Sequence, residues 1–179
     1  VLNILNELVP VYKDLTAYDD SKAYMNDGGA KGKDLAAKYV AAVEKFDAAY
    51  AKFNETLNKV NAEQSKKQIE KLKKDGKKGY AAAMESTLRL TTLVDNLEKA
   101  PQKADKAAVE KEISEIEALL KSINNDRGQV LADRYNSVVG DVRQVLADPS
   151  DSNLNNMIEG FNGYIDTYNS TTPDQFDAK

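Results

Sequence analysis

Apolar residues recur at alternating spacings of three and four through nearly every long segment of this chain, and strand-type alternation is absent. That spacing gathers them on one stripe of an α-helix, because about 3.6 residues complete a turn. A chain written this way folds by laying stripes against one another, so an all-α protein is expected and sandwiches and barrels are not. Composition agrees: Ala, Leu, Lys, Glu, Asp and Asn abound, Gly and Pro are sparse, and Trp is absent. Straight-chain residues lose little rotamer freedom in a helix.

The stripes can be followed along the sequence. Val1, Leu5, Leu8, Tyr12 and Leu15 share the first face, with Pro10 inside it as an expected kink, and this helix should end near Met25. The second face is the strongest: Ala36, Tyr39, Val43, Phe46, Tyr50, Phe53, Leu57 and Val60. Past Gln64 it thins to Ile69 and Leu72, which reads as a solvated extension of the same helix. A helix over about 30–75 would be roughly 70 Å long at about 1.5 Å per residue. Asp75, Gly76 and Gly79 mark the next turn, since Gly tolerates the left-handed conformation that closes a helix.

Tyr80, Met84, Leu88, Leu90, Val94 and Leu97 form a third stripe that stops before Pro101, whose ring pushes the preceding residue out of helical geometry. Val109, Ile113, Ile116, Leu120 and Ile123 make a fourth, Leu131, Tyr135, Val138, Val142 and Val145 a fifth, and Leu154, Ile158, Phe161, Ile165 and Tyr168 a sixth. NNDRG and ADPSDS between them supply capping oxygens, and Pro149 suits an early helical position. The expectation is an elongated antiparallel helical bundle of about six helices with one very long helix (about 30–75). It would form a single helical domain over 1–170, with a polar, frayed C-terminal tail over 171–179. At 179 residues such a domain can bury a core without disulfides or metals.

The chain has no Cys and no His. That removes thiol nucleophiles, disulfides, imidazole bases and every Cys/His metal cluster, so no catalytic, cofactor-binding or metal residues are assigned and no cofactor is expected. A formal net charge of −4 argues against nucleic acid as a partner of the whole domain, because phosphate neutralisation needs surplus Lys and Arg. No apolar run is long enough to span a membrane. The chain opens in the middle of an amphipathic helix, which leads us to expect a trimmed N-terminus and leaves open whether a targeting segment lies upstream.

Several motifs tempt toward chemistry. DGGAKGKD (27–34) has the glycines and lysine of a phosphate loop, but Asp27 stands where the first Gly belongs, Asp34 replaces the metal-binding hydroxyl, and no strand precedes it. A helix connection is the better reading. Asp19, Asp20, Asn26 and Asp27 lack the ligand order of a calcium loop and read as caps. Glu110 with Glu112, and Glu115 with Glu117, are two apart on a helix and point to different sides, which suits solvation and not acid–base catalysis.

Two stretches stay open as binding surfaces. Gly160 and Gly163 weaken the sixth helix, since an interior Gly costs about 1 kcal/mol relative to Ala. Close helix contact across the missing side chains would compensate, and this packing reading is favoured. The alternative is a groove in which Tyr135, Tyr164 and Tyr168 present rings and hydroxyls to a sugar or peptide. The second stretch is a basic patch of Lys66, Lys67, Lys71, Lys73, Lys74, Lys77 and Lys78, suited to anionic lipid, phosphate or a polyanionic wall polymer. Glu63, Glu70 and Asp75 dilute it, and a solvated helix is the plainer account.

The stretch LTAYDDSKAYMNDGGAKGKDLAAKYVAAVEKFDAAYAKFNETL resembles the opening of the YiiG-like family of bacterial envelope lipoproteins, which has no assigned biochemical function. The shared pattern joins a Tyr-containing helix to a Lys-Gly-Lys turn, here Lys31, Gly32 and Lys33, and then to a long aromatic-rich helix. KLKKDGKKGYAAAMESTLRLTTLVDNL and the Tyr-Ile-Asp-Thr-Tyr-Asn stretch ending at Asn169 are similar in placement. A His that often follows the turn in that family is Ala36 or Ala37 here. The resemblance implies an exported, cell-envelope protein, tethered to a membrane only through a lipid on an upstream Cys, and it implies no catalytic residues. The function expected is therefore non-enzymatic: a spacer, adaptor or binding surface for another envelope protein or a polyanionic cell-wall polymer. The alternative is a cytosolic or secreted interaction module that self-associates through the aromatic seam of its long helix. Oligomeric state is left open by the sequence.

Overall fold

The computed structural model describes residues 2–178, and the described residues form helices with no strand. In order they are α1 (Leu2–Asp20), α2 (Tyr24–Asp27), α3 (Ala30–Lys74), α4 (Lys78–Lys99), α5 (Lys106–Lys121), α6 (Asp126–Ala147), α7 (Asp151–Asn169) and α8 (Pro173–Phe176), with a single 3-10 turn at Pro101–Lys103. None of these helices is long and apolar enough to cross a membrane. Where the sequence reading takes 1–170 as one domain, the chain divides into two compact units, Val1–Gln64 and Ser65–Lys179.

In the first unit α1 lies antiparallel to α3. Tyr18 packs against Gly32, the Tyr12 and Tyr39 rings lie 6.1 Å apart, and Glu7 lies 3.8 Å from the ammonium of Lys45. The expected first helix breaks after Asp20, where Lys22 adopts φ 50, and Gly28 and Gly29 follow at φ 62 and φ 85. Left-handed backbone strains any residue but Gly. Asp27 then fastens the turn. Its carboxylate accepts from the Tyr18 hydroxyl at 2.5 Å, from the Gly29 amide at 2.9 Å and from the Lys31 amide at 3.2 Å. The Tyr18 bond is the main cause holding the Asp27 carboxyl below its ordinary range. Gly32 is required for a different reason: a Cβ there would lie 2.6 Å from the Tyr18 ring. DGGAKGKD is therefore a lock for a helical hairpin, and its glycines answer to backbone and ring geometry.

The second unit has the larger core. Leu90, Leu97, Ile116, Leu120, Leu131, Val138, Val142, Val145 and Met157 are fully buried, and α6 packs most extensively on α7. The capping chemistry is local: Asp105 accepts from the Ala107 and Ala108 amides to start α5, Asn125 accepts from Gly128 to start α6, and Ser150 starts α7. Pro149 sits one residue ahead of that last cap, outside the helix. Arg89 of α4 forks onto Glu112 of α5 with two bonds of 2.7 Å and also bonds Glu115, while Arg143 of α6 forks onto Glu110 at 2.9 and 2.8 Å. Of the paired carboxylates of α5, Glu110, Glu112 and Glu115 are thus occupied by arginines, and Glu117 lies 2.5 Å from Lys121.

The tail differs most from expectation. Instead of fraying, residues 171–178 return to the unit. Thr172 donates its amide to Gln175 at 2.8 Å to start α8, and Phe176 is 2 % exposed, stacked within 6.1 Å of both Tyr80 and Tyr168. Asp177 accepts from the Gly79 amide at 2.6 Å and so caps α4, whose own N-cap Lys77 offers no side-chain bond. The Asn125 amide donates to the carbonyls of Phe176 at 2.9 Å and Ala178 at 3.1 Å. Gly79 is therefore not part of the turn: it opens α4, and a Cβ there would lie 2.0 Å from the Phe176 carbonyl oxygen. One aromatic side chain and two polar ones outweigh the polarity of the segment.

Removing that aromatic ring tests the account. Phe176→Ala should destabilise the protein by about 3–5 kcal/mol, the range for emptying a packed aromatic site, read as a lower urea midpoint in the transition that exposes Tyr80 and Tyr168.

Candidate functional site

The residues of the suspected groove come from α6 and α7, and the structure puts its two central tyrosines inside the core. Tyr135 is 1 % exposed and donates its hydroxyl to the Ile113 carbonyl at 2.6 Å. Tyr164 is fully buried, its hydroxyl 3.1 Å from Ser86 Oγ and 3.2 Å from Thr87 Oγ1. Ser86 and Thr87 both already donate to the Ala83 carbonyl, so the Tyr164 hydroxyl is left as the donor between them. Burial pushes both phenols above their ordinary range. Tyr168 is half-buried against Tyr80 and Phe176. These rings fill space and satisfy polar atoms within α4–α8, so they do not form a ligand groove.

The two glycines behave differently from each other. A Cβ at Gly160 would lie 2.7 Å from Oδ2 of Asp141, so the missing side chain makes room for a carboxylate of α6. At Gly163 nothing lies within 4 Å, and close helix contact does not explain that residue. Asp141 itself has its carboxyl pushed up by burial.

The lysine patch is spread over the end of α3, the turn and the start of α4. Lys66, Lys67, Lys71, Lys73, Lys74 and Lys78 are exposed, while Lys77 is half-buried. Lys73 binds Glu85 at 2.7 Å and Lys77 binds Asp174 at 3.1 Å. Ile69 is buried between them, which shows that this stretch packs on its own unit with one face.

An opening in the second unit lies between the end of α4 and the start of α5. Its volume is about 520 Å³, with a floor of Leu93, Leu97 and Val109, and Arg89 with Glu112 at one end. The guanidinium there is already satisfied by Glu112 and Glu115, so it is not poised to catch an anion.

A different surface stands out in the first unit. The second stripe, read in the sequence as a seam, is covered for only half its length. Tyr39, Val43 and Phe46 are half-buried, whereas Tyr50, Phe53, Leu57 and Val60 are 48, 52, 43 and 49 % exposed. Beside it, a lysine stands at every seventh position of α3, at Lys31, Lys38, Lys45, Lys52, Lys59, Lys66 and Lys73, a signal that hydrophobic spacing alone does not carry. A seven-residue period keeps a feature beside a three-and-four stripe along a coiled helix.

Two measurements check these assignments. Gly163→Ala should raise Tm, because helix propensity improves by about 1 kcal/mol with no contact to disturb. Asp141→Asn should stabilise the protein at neutral pH. A carboxyl whose folded pKa is raised favours the fold below its unfolded pKa, about 3.9 for Asp, and that advantage is lost as pH rises through the folded value. The gain from Asn should therefore be present near pH 7 and vanish below about pH 4 in paired urea titrations.

No curated protein and no solved structure matches the chain. A family model does, over residues 1–147, with the description protein of unknown function, DUF3829.

Proposed function

We propose, from the premise that this chain belongs to the DUF3829 family of proteins of unknown function, that it is a non-enzymatic helical adaptor that binds a partner through the exposed stripe of α3. The single observation that supports this is the run Tyr50, Phe53, Leu57 and Val60, four large apolar side chains on one helical face left close to half open to water. A cluster of exposed large apolar residues on one face marks an interaction surface more often than scattered ones do. Placement in the cell envelope, with a lipid as the membrane tether, belongs to the same proposal and is supported by the resemblance to YiiG-like lipoproteins. So does the reading of residues 30–74 as one uninterrupted helix, which a protease should fail to cut around Gln64. The basic stretch from Lys66 to Lys78 is a secondary surface for a polyanionic polymer.

Photo-crosslinking in cells tests the reading. With benzoylphenylalanine in place of Phe53, a covalent product with another protein is expected, and the same group at Ala51 should give none. A product of twice the chain mass alone would support the self-associating alternative. Absence of any product at Phe53 would remove the adaptor reading.

A further inference from the structure

The stripe on α3 is one continuous pattern with two halves. Its three-and-four spacing runs without interruption from Tyr39 to Val60, and α1 covers the first half. Glu7 is level with Lys45, so α1, which starts five residues before Glu7, begins level with about residue 50 of α3. Exposure rises at that point: Phe46 is half-buried and Tyr50 is 48 % exposed. The spacing that packs α1 therefore continues past the end of α1 with nothing on it among the described residues.

The charges say what kind of helix fits. α1 carries Glu7, Asp14, Asp19 and Asp20 against Lys13, and it meets the lysine row of α3 through Glu7 and Lys45. The small residues Ala42 and Ala49 lie between stripe and lysines, which brings that edge close to whatever helix lies on the stripe. The seven-residue period repeats the same edge beside the open half, at Lys52 and Lys59. Lys59 is bonded to Glu55 within α3 at 2.6 Å, while Lys52 has no carboxylate partner among the described residues.

We propose that Tyr50, Phe53, Leu57 and Val60 form a docking surface for one amphipathic helix of a partner protein, whose flank bears acidic residues that meet Lys52 and Lys59. The inference rests on the adaptor reading and adds the chemistry of the partner. About three turns of helix span the distance from Tyr50 to Val60. A second copy of this chain fits less well. Laid antiparallel, its α3 would bring its own Lys52 and Lys59 to the shared edge and set like charges together; laid parallel, it would offer Asn54 and Asn61 there and no carboxylate.

Two synthetic probes test it on the full chain by fluorescence anisotropy at low salt. Both are 21-residue amphipathic peptides with Leu at three-and-four spacing, one with Glu along one edge and its twin with Lys there. The Glu peptide should bind and the Lys twin should bind roughly tenfold more weakly. Lys52→Glu with Lys59→Glu should reverse that preference, and Phe53→Ser with Leu57→Ser, at exposed positions that leave the helical circular dichroism intact, should abolish both. Equal binding of the twins, or binding of neither, overturns the proposal. So does a dimer in sedimentation that Phe53→Ser dissolves, or retention on phosphatidylglycerol vesicles that the same change removes. The crosslink at Phe53 separates the two readings: if it joins another protein while the twins bind alike, the adaptor stands and the acidic partner falls.

Discussion

Burial of three-and-four stripes is the interaction on which both units depend, and it is completed in one and not in the other. In the second unit each stripe finds a facing one, and Leu90, Ile116, Leu131, Val138, Val142 and Met157 leave the solvent entirely. Transfer of such side chains is favourable by about 1.5–3 kcal/mol each, enough to set the positions of α4 to α7 with no metal or disulfide. In the first unit Tyr18, Leu35 and Ala42 are the buried apolar residues among those described, and a long stripe has only α1 upon it. The asymmetry leaves the same packing pattern buried in one unit and half open to water along part of α3 in the other.

The helices were legible because the spacing that defines them is also what buries them. Ile113, Ile116 and Leu120, or Leu131, Val138 and Val142, could be assigned to core faces by position alone. Pro101 and Gly76 stopped their helices as their backbones require. What spacing does not carry is the number of stripes a given face will meet. Tyr50 and Val138 obey the same periodicity, yet one is near half exposed and the other fully buried, because the difference lies in which helices are long enough to reach them.

The tyrosines and the tail show a second limit. Sequence favours packing for Tyr135 and Tyr164 with a groove as the alternative, and their hydroxyls are answered by a backbone carbonyl and by two side chains far away in sequence. Residues 171–178 read as solvent-loving by average polarity, but Phe176 and Asp177 each act at one place, a core site and a helix N-terminus. Averages miss such residues. The only local hint was Gly79, a small residue where a close backbone approach needed one. These last helices also lie beyond residue 147, where the family match stops, although Met157, Tyr164 and Phe176 are integral to the core.

The bond from Gly79 to Asp177 joins positions 98 apart, and it bears on the order of events during synthesis. Helix α4 leaves the ribosome with its first amides unanswered and with an aromatic gap beside Tyr80, and both wait for a segment translated almost a hundred residues later. Closing so long a loop is paid for in chain entropy before the contact is gained. The second unit therefore stays incomplete while most of it has already been made, and its last few residues are what close it.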